Sequence, residues 1–185
     1  MAIKKWEKLS EEVLSTNPYS EYRMAKYRIP SGKVIDYYYV HSAGASMVVA
    51  VNREGKIAMV NQYRAVIDKE SLEFPAGKRQ QGKDDRETAL AELAEETQFA
   101  AKEIEQIGTI EVSPGLVDLL GYIFIAHDLY PSETEADETE EFEVFWYSPE
   151  EIEAMIANGK IANAWTLASW MLSKKRIVEI IAKQK

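Results

Sequence analysis

The segment from residue 75 to residue 98 constrains the fold of this chain more than any other segment. It begins with Pro75-Ala76-Gly77, which is typical of a turn, and ends in a stretch where Glu92, Glu95 and Glu96 recur at helical spacing. Side chains three and four residues apart lie on one face of a helix, where like charges repel one another. The segment therefore predicts a turn followed by a helix whose carboxylate face meets either open water or cations.

The helix alone does not decide between these two environments. Its opposite face carries small and apolar residues that suit packing on a core: Ala89, Leu90, Leu93, Ala94 and Thr97. In one interpretation the glutamates are solvated charges outside an ordinary core helix. In the other they hold a metal ion, and the glycine turn ahead of the helix favours this second interpretation.

Composition narrows the class of protein. The chain has 185 residues, enough for one core with a small appendage, and 46% of them are apolar. Its net charge of -9, from 31 acidic and 22 basic residues, disfavours nucleic acid or an anionic membrane as the main partner. We therefore expect a globular protein, and an acidic protein can still bind phosphates through divalent metal.

The absence of cysteine excludes disulfides, thiolate metal sites and thiol catalysis, and it is compatible with a reducing compartment. The first residues lack the apolar run of a signal peptide, and no apolar stretch approaches the length of a membrane span. These features predict a cytoplasmic protein.

The N-terminal part of the sequence predicts a small β appendage. Residues 22–29 and 34–41 are rich in aromatic and β-branched residues and flank the turn-forming sequence Pro30-Ser31-Gly32-Lys33, which predicts a hairpin. We expect residues 1–42 to form this N-terminal β-hairpin region and residues 43–185 to form the main domain. A second hairpin is predicted from 46–52 and 56–63, with its first strand buried on both faces.

The rest of the chain mixes strands and helices. Asp84 and Glu87 form a capping box for the glutamate helix, predicted to end near Thr97, and Ser148 and Glu151 form another. Further strands are predicted at 71–74, 107–112, 120–125 and 142–147, and further helices at 149–158 and 165–182. This order predicts an α+β fold with a mixed β-sheet sandwiched between helices.

Gly77, Glu92, Glu95 and Glu96 together resemble the Nudix box, in which a glycine precedes three helical glutamates at this spacing. The resemblance extends along most of the chain to the branch of ADP-ribose and nucleoside-diphosphate-sugar pyrophosphatases. It is carried by residues 61–64, 72–78, 113–116, 126–129 and 158–164, in that order. It implies the Nudix fold for residues 43–185, here identified as a Nudix hydrolase domain.

The box departs from the family pattern at three positions. Lys83 stands where the family has glutamate, Ala91 where it has arginine, and Gln98 where it has glycine. Lys83 and Ala91 together replace both members of an opposite-charge pair of the family, so neither charge is left without its partner. If Gln98 takes the left-handed conformation that ends a helix, it costs about 1 kcal/mol more than glycine would.

The resemblance also implies roles for individual residues. The backbone carbonyl of Ala76 and the carboxylates of Glu92, Glu95 and Glu96 would hold Mg²⁺, or alternatively Mn²⁺, since hard cations take oxygen ligands. Glu95 is also a candidate catalytic residue. The general base would come from an acidic loop, where the sequence pattern leaves Glu138 and Glu140 as equal candidates. Arg64 and Glu73 are the candidate substrate-binding residues, although Arg64 equally suits a surface ion pair.

The expected activity is metal-dependent hydrolysis of the diphosphate bond of ADP-ribose or a related nucleoside diphosphate sugar, giving a nucleoside monophosphate and a sugar phosphate. The branch also implies a homodimer formed through the N-terminal hairpin. Because the box is degenerate, the alternative is a catalytically weak Nudix-fold module that binds a nucleotide or a partner.

Overall fold

A computed structural model describes residues 3–80, 82–134 and 143–184. The chain divides into two compact units. The first consists of Met1–Ala43 and Glu111–Leu120, and the second of Gly44–Ile110 and Gly121–Lys185. Among the described residues, no helix combines the length and the hydrophobicity that a membrane crossing requires.

The first unit is built on a three-stranded antiparallel sheet of β1 (Glu7–Thr16), β2 (Glu21–Arg28) and β3 (Val34–His41), in that order. The predicted hairpin corresponds to β2 and β3 and is confirmed. Strand β1 was not predicted. All ten of its residues are exposed. Its sequence does not show the alternation of apolar and polar residues that is typical of a half-buried strand.

A second segment of the chain, Glu111–Leu120, completes the first unit by bonding to β3. The hydroxyl of Tyr37 donates to the carbonyl of Gly115 over 3.0 Å, and the Val40 N–H donates to the carbonyl of Leu116 over 2.9 Å. His41 Nδ1 lies 2.7 Å from a carboxylate oxygen of Asp118. These bonds explain why a loop distant in sequence belongs with the N-terminal sheet.

The second unit contains two sheets. One has the order β7 (Ala76–Lys78), β4 (Ala45–Ala50), β9 (Leu120–Pro131), β8 (Phe99–Glu111), with β4 parallel to β9 and antiparallel to β7. The other is antiparallel, with the order β10 (Glu143–Tyr147), β5 (Ile57–Arg64), β6 (Lys69–Glu73). A short 3₁₀ turn, Ala65–Ile67, joins β5 and β6.

The predicted second hairpin is wrong in its pairing. Its two strands exist as β4 and β5, and a bridge between Val51 and Ile57 starts the turn that connects them. The strands then enter different sheets, because β4 already has β7 and β9 at its two edges and β5 has β10 and β6. A strand with both edges occupied offers no hydrogen-bonding groups to a third neighbour.

The second unit has three helices among its described residues: α1 (Asp85–Thr97), α2 (Pro149–Ala157) and α3 (Ala164–Gln184). Alternate residues of β4 face two separate apolar clusters. Met47 and Val49 belong to the cluster that contains residues of α2 and α3, whereas Val48 belongs to the cluster that contains residues of α1. The predictions of a strand buried on both faces and of a mixed α+β fold with helices on both sides are confirmed.

Candidate active site

The site begins where β7 meets α1, because Gly77 and Glu92 lie in direct contact. A Cβ added to Gly77 would stand 2.1 Å from the carboxyl carbon of Glu92 and 2.2 and 2.3 Å from its two oxygens. Any side chain at this position would displace the carboxylate. Glycine allows the carboxylate to approach the backbone this closely, so the turn and the glutamate helix lie in direct contact.

Glu96, one helical turn after Glu92, contacts the same turn between β6 and β7. Its Oε2 accepts a hydrogen bond from the backbone N–H of Ala76 at 3.3 Å. Glu92 and Glu96 are only 9% and 5% exposed, whereas Glu95 is half-buried. Ala76, Glu92 and Glu96 therefore lie together at one end of β7.

The packing of α1 explains this placement and the burial of Glu92 and Glu96. Ala89 and Leu93 are fully buried and pack with Val48 of β4, as expected for the apolar face of the helix. The capping box predicted at Asp84 and Glu87 is present, with both reciprocal hydrogen bonds formed. Because Glu92 and Glu96 are also buried, the interpretation that places them in open water is wrong.

The chemistry of these donors fits a divalent cation. Carboxylate and carbonyl oxygens are hard ligands of the type that Mg²⁺ and Mn²⁺ prefer. Two carboxylates one helical turn apart repel each other, and a cation between them removes that repulsion. In the described part of the chain, no group of three or more His, Cys, Asp or Glu side chains is already gathered as a metal cluster. The gathered donors are thus two buried glutamates beside a backbone turn.

Arg64 and Glu73, the predicted substrate-binding residues, contact each other. The Nε and Nη2 atoms of Arg64 donate to the two oxygens of Glu73 at 2.9 and 2.7 Å. Glu73 is buried at 2% exposure, whereas the side chain of Arg64 is 44% exposed. The two residues sit on the neighbouring strands β5 and β6, so the ion pair anticipated as the alternative role of Arg64 is present.

A second bidentate ion pair was not predicted. Arg79 lies just after β7, and its Nε and Nη2 atoms each donate to an oxygen of Asp85, the first residue of α1, over 2.6 Å. The guanidinium also lies over the ring of Tyr122 on β9, 5.2 Å from its centroid. The hydrogen bond to Asp85 raises the pKa of Arg79 above its usual value. The only signal in the sequence was two opposite charges in a polar loop.

A family model for the NUDIX domain matches residues 40–167 of this chain. The chain belongs to the Nudix family. An ADP-ribose pyrophosphatase of Bacillus subtilis is 34% identical over 182 residues, covering 89% of this chain and 97% of the relative. An ADP-ribose pyrophosphatase of Mycobacterium tuberculosis is 29% identical, covering 91% of this chain and 83% of that protein.

The structure comparison agrees on the fold. A crystal structure of an ADP compounds hydrolase superposes with a TM-score of 0.84, covering 97% of each chain at 18% sequence identity. At this identity the likeness shows a shared fold. The expectations of a Nudix fold and of a hydrolase of this family are confirmed.

Gln98 takes the conformation expected for the glycine of the Nudix pattern. Its φ of 62° and ψ of 24° are left-handed, and its N–H donates to the carbonyl of Ala94 at the end of α1. The Gln98 side chain partly offsets this conformational strain, because its Nε2 donates a hydrogen bond to the carbonyl of Glu95 over 3.3 Å. The helix thus ends where the Nudix pattern ends it, with a strained residue in place of a relaxed one.

The two candidates for the general base, Glu138 and Glu140, lie in the segment 135–142, outside the described residues.

Proposed function

We propose that this Nudix protein hydrolyses the diphosphate bond of ADP-ribose or of a related nucleoside diphosphate sugar. The observation that carries the proposal is the pair of buried carboxylates, Glu92 and Glu96, held against the backbone of Ala76 and Gly77. The identity of 34% to an ADP-ribose pyrophosphatase along nearly its whole length supports the choice of substrate.

Water is the second reactant. One of its oxygen lone pairs attacks a phosphorus of the diphosphate, a new P–O bond forms, and the bridging P–O bond on the opposite side breaks. The bridging oxygen leaves with the second phosphate, and the water loses a proton to a carboxylate base. With ADP-ribose the products are AMP and ribose 5-phosphate.

The proposed cation is Mg²⁺, with Mn²⁺ as an alternative, held by the carbonyl of Ala76 and the carboxylates of Glu92, Glu95 and Glu96. When bound, it neutralises charge on the diphosphate oxygens and lowers the pKa of the attacking water. The fold positions these oxygen ligands. The apolar face of α1 packs against β4, and Gly77 allows the carboxylate of Glu92 to approach the turn.

Glu138 or Glu140 is the proposed base, on the sequence pattern alone, and Glu95 is a further catalytic candidate. Arg64 is the proposed contact to a substrate phosphate or ribose. Its guanidinium is half-exposed and is oriented by the buried carboxylate of Glu73. A guanidinium held in this way is preorganised for an anion. Glu73 then contributes to substrate binding through Arg64.

We further propose a homodimer that works in the cytoplasm, without nucleic acid or membrane as a partner. The first unit supports the dimer, since β1 is exposed along its whole length and carries the exposed apolar residues Leu9, Val13 and Leu14. An exposed strand of this kind is a site for association. Light scattering of the wild type and of Val13→Lys tests the dimer: a monomeric wild type contradicts it, and dissociation of the variant supports it.

The activity is tested with a panel of diphosphates in the presence of Mg²⁺, scored for AMP and ribose 5-phosphate. Glu96→Gln serves as the inactive control and Glu103→Gln, an exposed position on β8, as the active one. We expect turnover of ADP-ribose or of another nucleoside diphosphate sugar. No turnover of any diphosphate at high enzyme concentration, together with nucleotide binding that neither needs Mg²⁺ nor weakens in Glu96→Gln, would favour the non-catalytic module instead.

A further inference from the structure

The loop between β7 and α1 determines how Gly77 meets Glu92, and its two ends are tied to each other. Arg79, one residue beyond β7, and Asp85, the first residue of α1, share two hydrogen bonds of 2.6 Å. Two parallel bonds between a guanidinium and a carboxylate fix both the distance and the relative orientation of the groups that carry them. The pair therefore closes the loop in a defined geometry.

Both ends of the loop are also tied to the beginning of β4. The N–H of Arg79 donates to the carbonyl of Gly44 at 3.0 Å, and the hydroxyl of Ser46 donates to the carbonyl of Asp85 at 2.8 Å. The face of Tyr122 supports the guanidinium from a third strand, β9. Loop, helix and sheet are thus joined around Arg79.

The contact between Gly77 and Glu92 leaves little room for α1 to move relative to β7. The Glu92 carboxylate fills the space that a single Cβ on Gly77 would occupy, so a small shift of α1 along β7 changes this contact. We propose that the Arg79–Asp85 pair is a positioning device that holds α1 against β7 and thereby sets the affinity of the Glu92 and Glu96 carboxylates for a divalent cation. This proposal rests on the proposed function, in which these glutamates hold the cation. Arg79 and Asp85 act through the glutamates and touch neither cation nor substrate.

The chain provides a matched control. Arg176 on α3 bonds to Glu105 on β8 through its Nε over 2.5 Å, with Arg176 about as exposed as Arg79 and Glu105 more exposed than Asp85. This pair joins a helix to a strand of the same unit, and its helix carries none of the proposed cation ligands. Its loss affects stability without moving α1.

The experiment measures Mn²⁺ binding to the purified protein without substrate, by the electron paramagnetic resonance signal of free Mn²⁺. Arg79→Gln keeps the side-chain carbons as far as Cδ and lacks the guanidinium, so it removes the bidentate pair. We expect its Kd for Mn²⁺ to rise about tenfold, the low end of the effect of removing a residue that supports a metal ligand. Arg176→Gln should lower Tm only slightly and leave the Kd unchanged.

Two further variants keep the test informative if Arg79→Gln folds poorly. Arg79→Lys retains the charge but not the fork geometry and should weaken Mn²⁺ binding less than Arg79→Gln does. Arg79→Gln/Asp85→Asn should bind Mn²⁺ about as weakly as Arg79→Gln, because the two residues act as one unit. At saturating Mg²⁺ the KM for substrate should stay at the wild-type value.

Wild-type Mn²⁺ affinity in Arg79→Gln would overturn the positioning role and leave the proposed function intact, since the wild type would still turn over its substrate. An equal loss of affinity in Arg176→Gln would assign the effect to general stability and overturn the proposal. A raised KM at saturating metal, with the Kd for Mn²⁺ unchanged, would make Arg79 a substrate contact instead. A wild type that neither binds Mn²⁺ nor cleaves a diphosphate would remove both proposals.

Discussion

Two groups of buried glutamates in the second unit are held in different ways. Glu73 is bonded through both oxygens to the guanidinium of Arg64 on the neighbouring strand. Glu92 and Glu96 lie on a helix against the turn at Ala76 and Gly77, where Glu96 accepts a backbone N–H and Glu92 occupies the space beside the glycine. All three are nearly inaccessible to solvent.

The difference shows that burial alone does not mark a cation ligand. A carboxylate with both oxygens bonded to an arginine already has its charge matched by the chain, so it orients that arginine. Glu92 and Glu96 instead lie against a backbone turn, at the helical spacing of the Nudix pattern. We therefore expect substitutions at the two groups to have different consequences: loss of metal-dependent chemistry at Glu92 and Glu96, and loss of stability or substrate affinity at Glu73 and Arg64.

The largest expected effect is that of Glu96→Gln. The amide oxygen of glutamine can still accept the N–H of Ala76, so the fold and Tm should change little, while a charged cation ligand is lost. We expect kcat with Mg²⁺ to fall by several orders of magnitude, measured by steady-state release of AMP, with Glu103→Gln as control. An unchanged kcat would show that the glutamates of α1 take no part in catalysis, and Glu96 would then not differ from Glu73 in function.

Gly77→Ala should have the next largest effect. The new methyl group would meet the carboxylate of Glu92 at little more than 2 Å, so the carboxylate or the helix must move. A displacement of this size at a reacting centre costs about 100-fold in kcat/KM. The control is Gly108→Ala, where the added methyl group would meet the flexible end of Leu172 at 3.3 Å. Equal kcat/KM values for the two variants would show that the contact between Gly77 and Glu92 has no catalytic importance.

The helix at the site was predicted from local periodicity, whereas the Nudix fold and the roles of the site residues were implied by the resemblance to the family. The spacing of Glu92, Glu95 and Glu96, the apolar face of the helix and the capping box at Asp84 lie within one continuous segment and agree with one another. Agreement between independent local signals makes such a segment predictable. The ends of β2, β3, α2 and α3 were also predicted to within a few residues.

The parts that were missed depend on pairing between distant segments. Strand β1 has no buried face to give its sequence a period, and the separation of β4 from β5 depends on which strands occupy their edges. The pair of Arg79 and Asp85 is defined by side-chain geometry around a loop, and Tyr122 joins it from another strand. No pattern along the chain encodes these contacts, because they form only when the tertiary structure does.

The other side of the comparison is tested at Arg64. Arg64→Met leaves the buried carboxylate of Glu73 without its guanidinium, so we expect the free energy of unfolding to fall by about 1–2 kcal/mol, a value moderated by the exposure of Arg64. If Arg64 also contacts substrate, KM for ADP-ribose should rise about tenfold, equivalent to about 1.4 kcal/mol. Urea denaturation and steady-state kinetics measure the two effects.

The double variant Arg64→Met/Glu73→Gln separates stability from substrate binding at this pair. Removing the carboxylate charge as well should recover most of the lost stability, because no uncompensated charge stays buried. The raised KM should persist, since the guanidinium is still absent. Recovery of KM together with stability would show that Arg64 contributes to stability and not to substrate binding. Glu73 would then have a purely structural role, in contrast to Glu92 and Glu96.

The smallest expected effect is that of Gln98→Gly at the end of α1, which tests whether the stability of the helix and the function of its glutamates can be separated. Glycine adopts the left-handed conformation at this position without strain, and the exposed side chain loses only a weak hydrogen bond to the carbonyl of Glu95. The free energy of unfolding should rise by about 0.5–1 kcal/mol, or about 1–4 °C in Tm, which calorimetry can measure. Since the backbone around Glu92 and Glu96 already has the geometry that glycine would adopt, kcat should stay within about twofold of the wild type, a difference of about 0.4 kcal/mol. A large change in kcat without a change in Tm would mean that the glutamine side chain itself takes part in the site, and the end of the helix would then belong to the chemistry as well as to the fold.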